Sequence, residues 1–202
     1  MTPVVIVQTG LANMASVEAA LARLGWATVR SRDPEQVRVA ERVVLPGVGA
    51  FGAALPTLCS TGLGESLRER IEADHPTLAI CLGFQALAEE SEEARGVAGL
   101  GCISGTVVRL PDTQAVPQLG WNRVEAPAES RFVRSGHAYF ANSYCLREAP
   151  EGWIAPTTTY GVSMIAAIER GAVLGCQFHP ELSGAWGADL LERWLNQGGP
   201  TC

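Results

Sequence analysis

Cys81 stands in a frame of small residues, with Ala79 two positions before it and Gly83 two positions after. The stretch reads Thr77-Leu78-Ala79-Ile80-Cys81-Leu82-Gly83-Phe84-Gln85-Ala86-Leu87. An apolar run of strand length stops at the cysteine, and the apolar periodicity over residues 84–90 predicts a helix. This spacing is that of a nucleophile elbow, where the chain turns so sharply that only small side chains fit on either side. Sulfur suits the position, because the first turn of a helix stabilises a thiolate. A core cysteine at a strand end is the competing reading. A base and an oxyanion site elsewhere in the chain would decide between them.

The base can come from few places, since the chain has three histidines, His75, His137 and His179. His179 lies in Gly175-Cys176-Gln177-Phe178-His179-Pro180-Glu181, an apolar strand ending in a histidine with a carboxylate two residues on. In extended backbone, residues two apart project to the same side, and Pro180 biases His179 towards that geometry. Glu181 is thereby placed to fix the imidazole tautomer and stabilise the imidazolium. Pro46-Gly47-Val48-Gly49 ends another apolar run. Its glycines would let a backbone N–H approach a substrate carbonyl, with the N–H of Leu82 as the second donor. An ordinary Pro-Gly turn is the plainer alternative. His75 reads as a solvated helix-end residue and His137 as a loop residue.

These groups need a scaffold that gathers strand ends. Residues 4–8 read as a short buried strand, 9–13 as a turn, and 16–24 as a helix capped by Ser16. Strands follow at 27–30 and 42–45, with a turn or helix from Asp33-Pro34 between them and helices over 50–58 and 63–73 before the cysteine strand. This alternation predicts a parallel sheet covered on both faces, with ligands at the carboxyl ends of its strands. After Ser91 the chain turns rich in Gly, Pro and β-branched residues. Strands are expected at 103–110, around Val124, and at 139–145, 163–169 and 172–178, antiparallel or mixed. A final helix through 196 carries Trp186 and Trp194 on its apolar stripe. Gly120-Trp121-Asn122 reads as a loop presenting a large aromatic, either an interface anchor or a core residue.

Composition narrows the function classes. With 202 residues and 47% hydrophobic content, the chain fits one domain spanning 1–202. A net charge of -6 with scattered basic residues argues against nucleic acid or an anionic membrane as partner. No apolar run approaches about 18 residues and no leader opens at Met1, so a cytoplasmic protein is expected. The six cysteines never form C-x-x-C, and no Cys/His cluster has metal-ligand spacing. Neither a metal nor a cofactor is expected.

The strings Ile80-Cys81-Leu82-Gly83-Phe84-Gln85, Phe178-His179-Pro180-Glu181 and Pro46-Gly47-Val48-Gly49 together resemble class I, triad-type glutamine amidotransferases. More narrowly, residues 46–51 (PGVGAF), Pro117-Gln118-Leu119-Gly120-Trp121-Asn122 and Tyr139-Phe140-Ala141-Asn142-Ser143-Tyr144 resemble the glutaminase subunits of imidazole glycerol phosphate synthases. The resemblance runs over essentially the whole chain. It implies an α/β fold, a single domain with a mixed, mostly parallel sheet flanked by helices. It implies that Cys81, His179 and Glu181 hydrolyse L-glutamine to glutamate and ammonia, with Gly49 and Leu82 holding the oxyanion. Gly47, Gln85, Asn142, Ser143 and Tyr144 would surround the substrate, and Gln118, Trp121 and Asn122 would meet a partner. That partner would be a (β/α)8 cyclase subunit in a heterodimer, using the ammonia to make imidazole glycerol phosphate and aminoimidazole carboxamide ribotide in histidine biosynthesis.

Several positions depart from the family pattern. The first loop reads Gln8-Thr9-Gly10-Leu11-Ala12-Asn13 where the family has Asp-Tyr-Gly-x-Gly-Asn. Asn142 and Gln118 each stand where the family has histidine, Leu119 where it has methionine, and Leu182 where it has lysine. None touches the three catalytic candidates. Competing readings are a class I glutaminase serving another synthase, a stand-alone cysteine hydrolase, and an inactive binding module. The presence of all three candidates argues against the last.

Overall fold

The computed structural model describes residues 2–9 and 14–197. Its first half runs β1 (Val4–Val7), α1 (Met14–Arg23), β2 (Thr28–Ser31), α2 (Pro34–Val39), β3 (Val43–Leu45), α3 (Phe51–Ser60), α4 (Leu63–Glu72) and β4 (Thr77–Ile80). The second half adds α5 (Leu82–Gln85), β5 (Glu90–Ser91), β6 (Thr106–Arg109), β7 (Gln118–Val124), β8 (Gly136–Asn142) and β9 (Tyr144–Cys145). It closes with β10 (Thr157–Tyr160), β11 (Val162–Ile165), β12 (Ala167–Arg170), β13 (Val173–Cys176) and α6 (Gly184–Leu195). Residues 10–13 of the expected first turn, and Cys202, lie outside the described residues.

The central sheet has six strands in the order β12-β13-β4-β3-β1-β2. All neighbours run parallel except β12, which pairs antiparallel with β13. Side-chain alternation divides the core in two. Val4, Ile6, Val44, Leu78, Ile80 and Leu174 face α1, α6 and the β7–β8 hairpin. Val5, Val7, Val43, Leu45, Ala79 and Val173 face α2, α3 and α4. Burial on both faces explains why these strands are runs of aliphatic residues with no polar alternation. The expected α/β architecture, a mostly parallel sheet flanked by helices, is therefore present. Among the described residues no helix is long and apolar enough to cross a membrane.

The chain departs from the sequence expectation in several places, and His137, expected in a loop, lies on β8. The helix expected over 84–90 is one turn, α5. Beyond it the carbonyls of Ala86, Leu87, Ala88 and Glu89 accept bonds from the N–H groups of residues 99–103, so no further helical turn can form. Gly99 makes this possible, because a Cβ there would lie 1.9 Å from the Ala88 oxygen. The strand expected over 163–169 breaks at Ala166 into β11 and β12, which belong to different sheets. Helix α1 begins at Met14, so Ser16 lies within it and not at its cap. Trp121 lies on strand β7, not in a loop. The later strands form small sheets of their own, β7–β8, β10–β11 and β5-β6-β9, while β13 joins the central sheet in parallel.

Arg70 locks the far end of the sheet. Its side chain is 1% exposed, and Nη1 donates to the carbonyls of Val37, Arg38 and Ala40 while Nη2 donates to that of Pro76. These carbonyls belong to the end of α2 and the approach to β4. Burial draws the guanidinium pKa down to about 10. Arg70→Met is expected to lower the unfolding free energy by about 2–4 kcal/mol, because buried carbonyls lose their donors. Urea denaturation of the two proteins measures it.

Candidate active site

Cys81 takes φ 53°, ψ −109°, a left-handed backbone that a residue with a Cβ adopts only when its surroundings enforce it. Its N–H donates to the Cys176 carbonyl at 2.7 Å, extending the β4–β13 ladder by one step. Its own carbonyl accepts from Gln85 N at 3.0 Å and so opens α5. The small residues around it are a steric requirement. A Cβ on Gly83 would sit 2.2 Å from the Leu45 carbonyl oxygen, and one on Gly47 would sit 2.3 Å from the Gly83 nitrogen. Strand ends β3 and β4 thus interlock through glycines, and the strained turn is the outcome.

His179 is also held from several sides. Its N–H donates to the Tyr139 carbonyl on β8, and its own carbonyl accepts the Ser183 hydroxyl at 2.6 Å. The same Ser183 oxygen accepts from Tyr139 N, so one buried serine ties β8 to the histidine segment. His179 Nδ1–H donates to Glu181 Oε1 at 2.8 Å, with both side chains at most 7% exposed. The expected partnership is present, but not through strand alternation. Residues Pro180–Leu182 form a 3-10 turn that swings the carboxylate round to the ring.

Burial by itself would lower the pKa of the His179 ring. Hydrogen bonding to Cys81 and to Glu181, with their Coulomb attraction, outweighs it and raises the value to about 10. Burial pushes the Cys145 thiol up to about 11, that of the half-buried Cys102 up to about 12 and that of Cys176 well above the ordinary value. Raised values keep these sulfurs protonated, in keeping with structural roles.

Cys81 and His179 open on a cleft of about 300 Å³ that is also lined by Gly49, Leu82, Gln85, Asn142, Ser143 and Tyr144. Most of the expected site residues therefore meet in one place. Gly47 does not line this cleft. It packs against the back of the elbow, facing a narrow void with Leu45 and Ala54, so its role is steric. The Leu82 N–H, expected as an oxyanion donor, is 3.4 Å from the Gly47 carbonyl.

The expected partner-facing set needs more correction. In the β7–β8 register Gln118 faces Asn142 across the strands, and it is 2% exposed with neither amide atom hydrogen-bonded to protein. Asn122 spends its side chain on the Thr159 carbonyl and the Arg123 N–H. Strand parity sends residues 118 and 122 to one face and residues 119 and 121 to the other. Leu119 at 67% and Trp121 at 58% exposure accordingly project outward, Trp121 with its ring edge-on to Tyr139. Leu182, 42% exposed, follows in the turn beside His179. Sequence reasoning assigns no site role to Leu119 or Gln177. A glutamine inside an apolar strand run was the one signal available for Gln177, since a buried amide must find partners.

Comparison with known proteins agrees with this geometry. Residues 6–197 match the family model described as glutamine amidotransferase class-I. The imidazole glycerol phosphate synthase subunit HisH of Geobacillus kaustophilus is 41% identical over 199 residues, 94% of each chain. The chloroplastic imidazole glycerol phosphate synthase hisHF of Arabidopsis thaliana is 40% identical over 96% of this chain, which spans 34% of that longer protein. Among solved structures, a crystal structure of a glutamine amidotransferase superposes with a TM-score of 0.76 at 23% identity, covering 95% of this chain and 96% of that one. A strained cysteine beside a carboxylate-braced histidine, a family match over nearly every described residue and end-to-end relatives at about 40% identity lead to one assignment: the chain belongs to the class-I glutamine amidotransferases, within their HisH group.

Proposed function

We propose that Cys81, His179 and Glu181 hydrolyse the side-chain amide of L-glutamine, as the glutaminase subunit of an imidazole glycerol phosphate synthase. The observation that carries this reading is the sulfur held at positive φ on a sheet edge, beside an imidazole braced by a buried carboxylate. The sulfur of Cys81, its proton already transferred to His179, attacks the amide carbon. A carbon–sulfur bond forms and the carbonyl electrons move onto oxygen. The imidazolium then gives its proton to the departing nitrogen, ammonia leaves, and a glutamyl thioester remains. Water, deprotonated by His179, cleaves the thioester to glutamate and returns the thiol. Throughout, Glu181 keeps the ring in one tautomer and stabilises its charged form.

Gly49 and Leu82 are the proposed oxyanion donors. The Leu82 N–H bond to Gly47 is long at 3.4 Å, so it is readily exchanged for a developing oxyanion. Asn142 suits the amino-acid end of glutamine: its nitrogen is committed to the Tyr144 carbonyl while its buried Oδ1 has no protein partner. A substrate ammonium would supply the missing donor, and the backbone of Ser143 and Tyr144 borders the same space.

The ammonia is proposed to pass to a (β/α)8 cyclase subunit seated on the Leu119–Trp121–Leu182 rim. Three exposed apolar side chains support that seat: Leu119 lines the cleft, Trp121 follows it on the same face of β7, and Leu182 comes three residues after His179. A cytoplasmic location belongs to the same proposal.

Glutamate release, measured with and without the cyclase and its ligand, tests the reading. Strong stimulation by the cyclase is expected, and partner-independent peptidase activity would replace it with a stand-alone hydrolase. Cys81→Ser is expected to lose several orders of magnitude in turnover with its circular dichroism unchanged. Trp121→Ala is expected to weaken cyclase binding by roughly thirtyfold or more, as loss of an interface anchor does, and calorimetric titration reads it. The histidine makes a pH prediction. Its pKa rises from 6.5 to about 10 on folding, so its stabilisation is complete below pH 6.5 and is lost as pH climbs through about 10. Glu181→Gln should therefore lower the melting temperature most near pH 6.5, and the deficit should shrink towards pH 10.

A further inference from the structure

Gln177 has no part in the reaction just described, yet it is fully buried two residues before His179. Its surroundings form a relay of carboxamides whose polarity is set at one end. The Tyr144 carbonyl can only accept, and it receives Gln85 Nε2 and Asn142 Nδ2, each at 3.0 Å. The amide nitrogen of Gln85 must therefore be the end turned inward. Its second hydrogen goes to Gln177 Oε1, also at 3.0 Å. With its oxygen so occupied, Gln177 turns its own nitrogen the opposite way. That nitrogen lies 3.9 Å from the sulfur of Cys81. The Gln177 backbone is fixed too, by its N–H bond to the Ala166 carbonyl on the edge of the sheet.

Apart from His179 and Gln177, the sulfur has another polar neighbour, the Ala141 carbonyl at 3.8 Å, and it and Gln177 favour opposite protonation states. A carbonyl oxygen can bond only the S–H of the thiol, whereas an N–H donor bonds most strongly to sulfur carrying a full negative charge. We infer that Gln177 is a positioning residue for the nucleophile, an oriented N–H donor that holds Cys81 as a thiolate facing the cleft, with Tyr144 and Gln85 setting its orientation. This rests on the reading of Cys81 as the nucleophile and adds a residue which that reading does not use. Being uncharged, the donor leaves the imidazolium of His179 free to give its proton to the leaving nitrogen.

The test alkylates the full chain with iodoacetamide over roughly pH 5–10, a range that brackets ordinary thiol titration. Occupancy at Cys81 is read by peptide mass spectrometry, which separates it from the exposed Cys59. Gln177→Met keeps the length of the side chain and removes the donor. Its alkylation midpoint is expected to move up by about one pH unit, with a roughly tenfold slower reaction at pH values below both midpoints. Gln177→Glu, which offers oxygen to the sulfur, should move it further and decides the matter if Gln177→Met fails to fold. Gln85→Met frees the Gln177 amide to turn over and should give a smaller shift that is not additive with Gln177→Met. A packing role would alter stability but leave the midpoint in place. An unchanged midpoint in folded Gln177→Met, or in Gln177→Glu, overturns the inference while leaving the nucleophile standing. A wild-type Cys81 that alkylates no faster than Cys59 and releases no glutamate removes both.

Discussion

The structure depends on a steric interlock at the ends of two neighbouring strands. Gly47, at the end of β3, and Gly83, at the start of α5, pack so closely that a methyl group on either would collide with backbone. Leu45 and Leu82 fill the rest of that contact. No relaxed turn fits between them, so Cys81 takes the positive φ that projects its sulfur from the sheet edge. The strain is local, of the order of 1–3 kcal/mol, and the sheet on either side over-determines it. The antiparallel edge strand, the small hairpins and the two-sided core all matter to function because they leave that junction no freedom.

Around this junction the chain builds two polar assemblies of different kinds. On one side, Glu181, His179 and Ser183 form a charged brace whose members come from a single short segment and are tied to β8 through Tyr139. On the other, Asn142, Gln85 and Gln177 form an uncharged relay referred to the Tyr144 carbonyl. Cys81 lies between them. Buried amides leave the electrostatics of the site to the imidazole and the carboxylate, and of their buried polar atoms Asn142 Oδ1 alone has no protein partner.

Much of this was legible in the sequence because it is local. The Ala79-x-Cys81-x-Gly83 frame, the Pro46-Gly47 stop and the His179-Pro180-Glu181 string each encode their geometry within a few residues. The parallel sheet followed from aliphatic runs alternating with helical periods. What could not be read depends on contacts distant in sequence. The shortness of α5 is decided by N–H groups some fifteen residues later, the role of Arg70 by carbonyls on two other elements, and the inward turn of Gln118 by its register against Asn142. Reading Gly120-Trp121-Asn122 as a loop discarded strand parity, which alone assigns Leu119 and Trp121 outward and Gln118 inward. The Glu181 contact was anticipated by the wrong route, since a 3-10 turn and an extended strand both bring that carboxylate to the ring.

The placement of Trp121 also has an optical consequence. Trp194 is wholly enclosed, Trp153 nearly so, and Trp26 and Trp186 partly buried, whereas the indole at position 121 is 58% open to water. Emission from an indole shifts to shorter wavelength when water is excluded, so covering this rim would register in the protein's own fluorescence. The indole at position 121 is thus a built-in reporter for whatever covers that face of β7, with no dye attached.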